Sequence, residues 1–125
     1  MTQLPEVFRA AWEAREDPLV FTTTDGNGTP NTIFVTCIRL HDDSTILVAD
    51  NYFDKTRRNI RGGGTGSVLF ITDERKAFQV KGPITYHTDG TYHAFMLECL
   101  EPKYPVVGVV ALKIEEIYTG AERLL

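Results

Sequence analysis

The 125-residue chain has room for one domain, which can bury about two thirds of its unfolded surface without disulfide or metal staples. Its composition, 42% hydrophobic and 24% charged, is that of a globular protein and indicates neither disorder nor a membrane-spanning helix. Thirteen Lys and Arg against seventeen Asp and Glu give a net charge of -4, which argues against a protein whose main task is gripping nucleic acid.

Glu6, Arg9, Glu13, Arg15 and Glu16 are scattered through the start of the chain, so no secretory leader is read there and a cytoplasmic address is expected. Leu4, Val7, Phe8, Ala11 and Trp12 recur at helical spacing after Pro5 and predict an amphipathic helix. Past Asp17-Pro18 the period changes. Leu19 to Thr24 reads as a strand, Asp25-Gly26-Asn27-Gly28 as a hairpin turn, and Asn31 to Leu40 as a second strand. That second strand is apolar and β-branched on alternate positions of both faces, which predicts that each face is covered.

His41 to Ser44 turns the chain into a third strand, Thr45 to Asp50, followed by a loop and a short helix. Gly66 to Thr72 is strand four, and Asp73 to Lys76 a charged turn. Ala77 to Gly82 alternates as a half-buried strand five that continues past Pro83. Tyr92, Phe95, Met96, Cys99 and Leu100 mark one face of a further helix, expected to pack on the barrel or on a partner subunit and stopped by Pro102 and Pro105. Val106 to Tyr118 is the last strand. Six closely spaced strands with two or three peripheral helices predict a mainly β protein, a single domain over residues 1–125 built as an antiparallel barrel, with no repeat and no linker.

The local anomaly is Asp54 to Gly66, DKTRRNIRGGGTG, where Lys55, Arg57, Arg58 and Arg61 stand against one acid in an acidic chain. It is not a nucleotide loop, because Lys55 and Thr56 precede the glycines instead of following them. Gly62 is expected to end the short helix in the left-handed region. Cys37 and Cys99 form no Cys-x-x-Cys pair and are expected to be reduced, packed thiols. His41, His87 and His93 lack metal-ligand spacing, so ordinary surface histidines and no metal are expected.

With Gly28-Thr29-Pro30 leading into strand two, Val48-Ala49-Asp50 closing strand three, and Lys55-Thr56-x-x-Asn59-Ile60 on a short helix, the chain resembles the pyridoxamine 5'-phosphate oxidase-like FMN-binding split barrels, especially the small single-domain ones. The resemblance spans nearly the whole length and implies a six-stranded antiparallel split β-barrel of Greek-key type that works as a homodimer. It implies FMN as cofactor, with the ring in a groove between subunits against Thr32, Ile33, Phe34 and Val35 and against Val48, Ala49, Asp50, Asn51 and Tyr52. The phosphate is implied beside Lys55 and Thr56, and Gln79 could reach ring or phosphate from strand five. A phosphate monoester carries roughly -1.5 to -2 charge and needs cations with oriented donors, which Lys55 and Thr56 at a helix start can supply.

Members of the group commonly place an Arg on strand two and a Ser beside the Lys; here Ile33 and Phe34 hold the first region and Asp54 precedes Lys55. A carboxylate about 5 Å from the phosphate would oppose it by about 3 kcal/mol per charge pair at an effective dielectric of about 20. Asp54 is therefore expected to turn outward, with Arg57 or Arg58 completing the clamp. No Arg-His stretch follows strand six, so pyridoxamine oxidation is not the expected activity. Electron transfer or flavin-dependent oxidoreduction of undefined substrate, with a possible redox partner protein and neither nucleic acid nor membrane as partner, is the function implied. An OB-like nucleic-acid-binding barrel and a cofactor-free dimeric interaction module are the alternatives.

Overall fold

The computed structural model of the chain describes residues 4–53, 55–61 and 64–125; the roles expected of Asp54 and Gly62 lie outside the described residues. Helix α1 (Glu6–Glu13) comes first, followed by β1 (Leu19–Thr24), β2 (Pro30–Val35), β3 (Ile38–His41) and β4 (Thr45–Asp50). Helix α2 (Lys55–Arg61) leads to β5 (Thr65–Ile71) and β6 (Ala77–His87). Helix α3 (Gly90–Cys99) precedes β7 (Gly108–Lys113), β8 (Glu116–Thr119) and the short β9 (Glu122–Arg123).

Nine strands among the described residues replace the six expected, because two apparently continuous strands turn corners and β9 adds a short pair to β8. The second strand breaks at Thr36 and Cys37, where the Ile38 N–H donates to the Thr36 carbonyl at 3.0 Å and the chain changes partner from β1 to β4. The last strand begins at Gly108 and divides at Ile114 and Glu115, whose N–H groups donate to the Ser44 and Lys81 carbonyls. Beyond that point β8 pairs with β6, whereas β7 pairs with β4 and β6.

All pairings are antiparallel, in the order β2-β1-β5-β6-β7-β4-β3 with β8 and β9 attached beside β6. That order forces a curl. Laid flat, the two end strands of this seven-strand path would stand about 29 Å apart at roughly 4.8 Å per strand. Yet Val35 at the end of β2 and Ile38 at the start of β3 can be no more than about 11 Å apart along the chain. The sheet therefore rolls into a barrel whose two end strands are joined covalently at the corner and share no ladder, which is a split barrel.

The barrel interior holds Leu19, Phe21, Ile38, Ile46, Val48, Val68, Val80, Val110, Leu112 and Ile117, all fully buried. Helix α1 seals one end through Phe8 and Trp12, which meet Phe70 edge-on with ring centroids 6.1 and 5.4 Å away; Val7, expected on the buried face, is exposed. A smaller apolar cluster of Met96, Leu47, Ala49 and Val109 seats α3 on the barrel's outer face. The histidines are not plain surface residues: His41 packs on Tyr92 and Phe95, His87 on Tyr92, and His93 Nε2 lies 2.9 Å from the Val106 carbonyl.

Candidate functional site

Among the described residues, the split leaves one edge of β2 without a neighbouring strand, so its backbone donors and acceptors face outward beside the loop that follows β4. A cleft of about 550 Å³ opens there, walled by Asn31 to Cys37, Ala49, Asn51 to Phe53, Lys55, Thr56 and Tyr104. Its size falls within the roughly 300–1,000 Å³ of small-molecule pockets. Of the residues named from sequence, Thr32, Ile33, Phe34, Val35, Ala49, Asn51, Tyr52, Lys55 and Thr56 are brought together on these walls.

Three are not. Val48 points into the barrel core and is fully buried, because alternation along β4 sends Ala49 to the outer face instead. Gln79 donates to Ser67 Oγ at 3.1 Å across the β5–β6 ladder and walls neither this cleft nor the basin beside it. Asp50 is fully buried and engaged within the protein: Arg57 contacts it in a fork, Nε to Oδ2 at 2.6 Å and Nη2 to Oδ1 at 3.1 Å. The Tyr86 hydroxyl donates to Oδ2, and the Phe53 N–H to Oδ1 at 2.8 Å.

Burial pushes the Asp50 carboxyl up, but the hydrogen bonds from Arg57, Tyr86 and Phe53 outweigh it and hold the group below its ordinary value. The same contact with Asp50 raises the Arg57 guanidinium. Arg57, committed to Asp50, tethers α2 to β4, whereas Arg58 walls a second, polar basin of about 660 Å³ that shares Asn31 and Lys55 with the cleft.

The β1–β2 hairpin and α2 are joined by two amide-to-hydroxyl bonds that fix these walls. Asn31 Nδ2 donates to Thr56 Oγ1 at 2.7 Å, and Asn59 Nδ2 to Thr23 Oγ1 at 3.0 Å. Thr56 and Thr23 are both buried. Since Asn31 fills an acceptor position on the Thr56 oxygen, the Thr56 hydroxyl keeps its own proton to donate elsewhere. Asn31, Phe53 and Tyr104 are wall residues that the sequence reading missed; Asn31, a polar residue directly after Pro30 at the head of an apolar run, carried the one signal that could have found it.

The arrangement fits a planar ligand with an anionic tail. Ile33, Val35, Ala49 and Phe53 give an apolar slot, the β2 edge gives backbone hydrogen-bonding groups along it, and Lys55 with Thr56 gives a cation and a hydroxyl donor at its polar end.

The family model for pyridoxamine 5'-phosphate oxidase matches residues 4–119. An uncharacterized protein of Methanocaldococcus jannaschii, MJ0282, is 30% identical over 109 residues, covering 82% of this chain and 73% of that one. Among solved structures, HupZ of Group A Streptococcus superposes with a TM-score of 0.80 at 24% identity, over 92% of this chain and 94% of that one. An FMN-binding protein of Syntrophomonas wolfei superposes with a TM-score of 0.73 at 22% identity, over 94% and 84%. The same fold occurs in a heme storage protein of Vibrio cholerae, HutZ, at a TM-score of 0.70, 16% identity and 94% and 95% coverage, so shape alone does not choose the ligand. With the model match running across nearly every described element, the chain belongs to the pyridoxamine 5'-phosphate oxidase family, which includes FMN-binding proteins.

Proposed function

We propose that the chain is an FMN-binding flavoprotein serving electron transfer or flavin-dependent oxidoreduction, with the ring in the cleft at the β2 edge and the phosphate on Lys55 and Thr56. The observation that carries this reading is the juxtaposition, in one cleft, of an apolar slot and a cation–hydroxyl pair held by Asn31. Bound there, the flavin would supply the redox chemistry. Ile33, Val35 and Phe53 would exclude water from the ring, and the β2 edge would orient it.

A homodimer is part of the proposal. Phe34 is 74% exposed and Tyr52 81% exposed on the rim of the cleft, a cost in water that a second copy of the chain would relieve by covering them. A heme reading finds no histidine among the described residues of either cavity wall.

The test is direct. Purified protein, or protein reconstituted with FMN, is expected to show a bound-flavin absorption spectrum. Lys55→Ala removes a charge-assisted bond of about 1.5–3 kcal/mol, so FMN affinity is expected to fall roughly ten- to hundredfold. A colourless protein that resists reconstitution, or an unchanged affinity in the variant, contradicts the assignment.

A further inference from the structure

The wall of the cleft farthest from the proposed anchor is held unlike the others. Asn31, bonded to Thr56, lies at the start of β2, whereas Cys37 lies past its end, and Tyr104 packs against the apolar cluster that contains Cys37 and Ala49. With the tail of a ligand on Lys55 and Thr56, Tyr104 stands where the ring would end. Tyr104 belongs to no strand or helix, being carried by residues 101–107 between α3 and β7, so no sheet ladder fixes it.

Val106 is the fixed point of that segment. It is buried in a cluster with Leu47, Ala49, Met96 and Val109, yet it adopts a φ of +43°, in the left-handed region that a β-branched residue avoids. Such a conformation persists only where the surroundings over-determine it. Here the Val106 N–H donates to Asn51 Oδ1 at 3.1 Å, the Val106 carbonyl accepts from His93 Nε2 at 2.9 Å, and the Val107 N–H donates to the Asp50 carbonyl at 2.8 Å. Side chains from α3 and from just past β4 thus satisfy both polar groups of one strained residue. With Oδ1 taken by Val106, the Asn51 amide turns Nδ2 toward Cys37 Sγ, 3.4 Å away, and Cys37 is left only 8% exposed on the cleft wall.

We propose that Tyr104 is the specificity-determining end wall of the cleft, touching the ring of the ligand and not its tail, and that Asn51 and His93 are positioning residues that latch this wall through Val106. When the latch is removed, Val106 relaxes out of the left-handed region, Tyr104 withdraws from the slot and Cys37 opens to solvent. The ring contact rests on the flavin reading of the cleft; the latch does not, and two readouts separate them.

In a Cys99→Ser background, which removes the exposed thiol, alkylation of Cys37 is followed in ligand-free protein held far below the urea midpoint of each variant. His93→Ala and Asn51→Ala are expected to speed it by about tenfold or more, the size of one lost hydrogen bond. His93→Gln, whose amide N–H can replace Nε2–H, is expected to stay within about twofold of the parent. Equal rates in all four proteins, or His93→Gln as fast as His93→Ala, overturn the latch. FMN and riboflavin are then titrated by fluorescence quenching, and Tyr104→Ala is expected to weaken both by the same factor, about tenfold. A loss confined to FMN puts Tyr104 at the phosphate and no loss removes it from the site; either overturns the end wall while FMN binding stands. If neither flavin binds wild type, the reading of the cleft falls and takes the ring contact with it, and the alkylation rates alone decide the latch.

Discussion

Asp50 stands at the end of β4 yet is fully buried, and its carboxylate gathers Arg57 from α2, Tyr86 from β6 and the Phe53 N–H into one polar knot behind the cleft. Because its folded-state pKa lies below the ordinary value near 3.9, the ionised group stabilises the fold above that pH, and the contribution disappears as pH falls through the depressed value. Asp50→Asn is therefore expected to cost about 1.5–3 kcal/mol at neutral pH. In urea unfolding it should also flatten the loss of stability expected of wild type as pH falls below the ordinary carboxylate range; parallel pH profiles for the two proteins would remove Asp50 from this role. It was the family resemblance, through Val48 to Tyr52 after the third strand, that placed Asp50 on the cofactor. What it lacked was the partner, since Arg57 lies seven residues on, across a loop, where no periodicity links the two. Lys55 and Thr56 were legible as a cation and a hydroxyl side by side, but the Asn31 bond that orients Thr56 spans twenty-five positions of sequence.

At the scale of elements, β6 ties the two halves of the barrel together. Its residues 77–83 pair with β5, and from Ile84 onward it pairs with β7, with Pro83 at the change of partner where a missing N–H is tolerable. Gly82 sits at the same crossing, where an added Cβ would lie 1.7 Å from the Lys113 carbonyl oxygen. Since that obstacle is backbone, Gly82→Ala is expected to destabilise at or beyond the upper end of the about 1–3 kcal/mol typical of overpacking, read as a lower urea midpoint. A variant as stable as wild type would show that the crossing can relax. Hairpins and helices, which are set by local turn chemistry and spacing, were readable in place: Asp25 caps its own turn, and α1 and α3 lie along their apolar stripes, although Val7 and Cys99, expected to be packed on them, are exposed. The corners at Thr36-Cys37 and Ile114-Glu115 were not, because neither carries a Gly or Pro, the first stays β-branched and apolar and the second, Lys113-Ile114-Glu115-Glu116-Ile117, still reads as part of a strand, so only the exchange of distant partners marks them.

For the molecule as a whole, the barrel closes covalently at one corner and stays unzipped beside it, and the cleft occupies that seam. Phe34, projecting from the free edge, is one of two exposed aromatic residues on the rim, with Tyr52, that the proposed partner copy would cover. Phe34→Glu is expected to shift the mass measured by light scattering from dimer to monomer and to weaken FMN binding with it, whereas wild type that is monomeric at working concentration would remove the second subunit from the site. The central claim is that the tail of the ligand is gripped by Lys55 and Thr56. Parallel fluorescence titrations of the purified protein with FMN and with riboflavin, which share a ring and differ only in the phosphate, test it most directly. The account predicts FMN binding tighter by roughly tenfold or more; equal affinities, or no quenching with either, would contradict it.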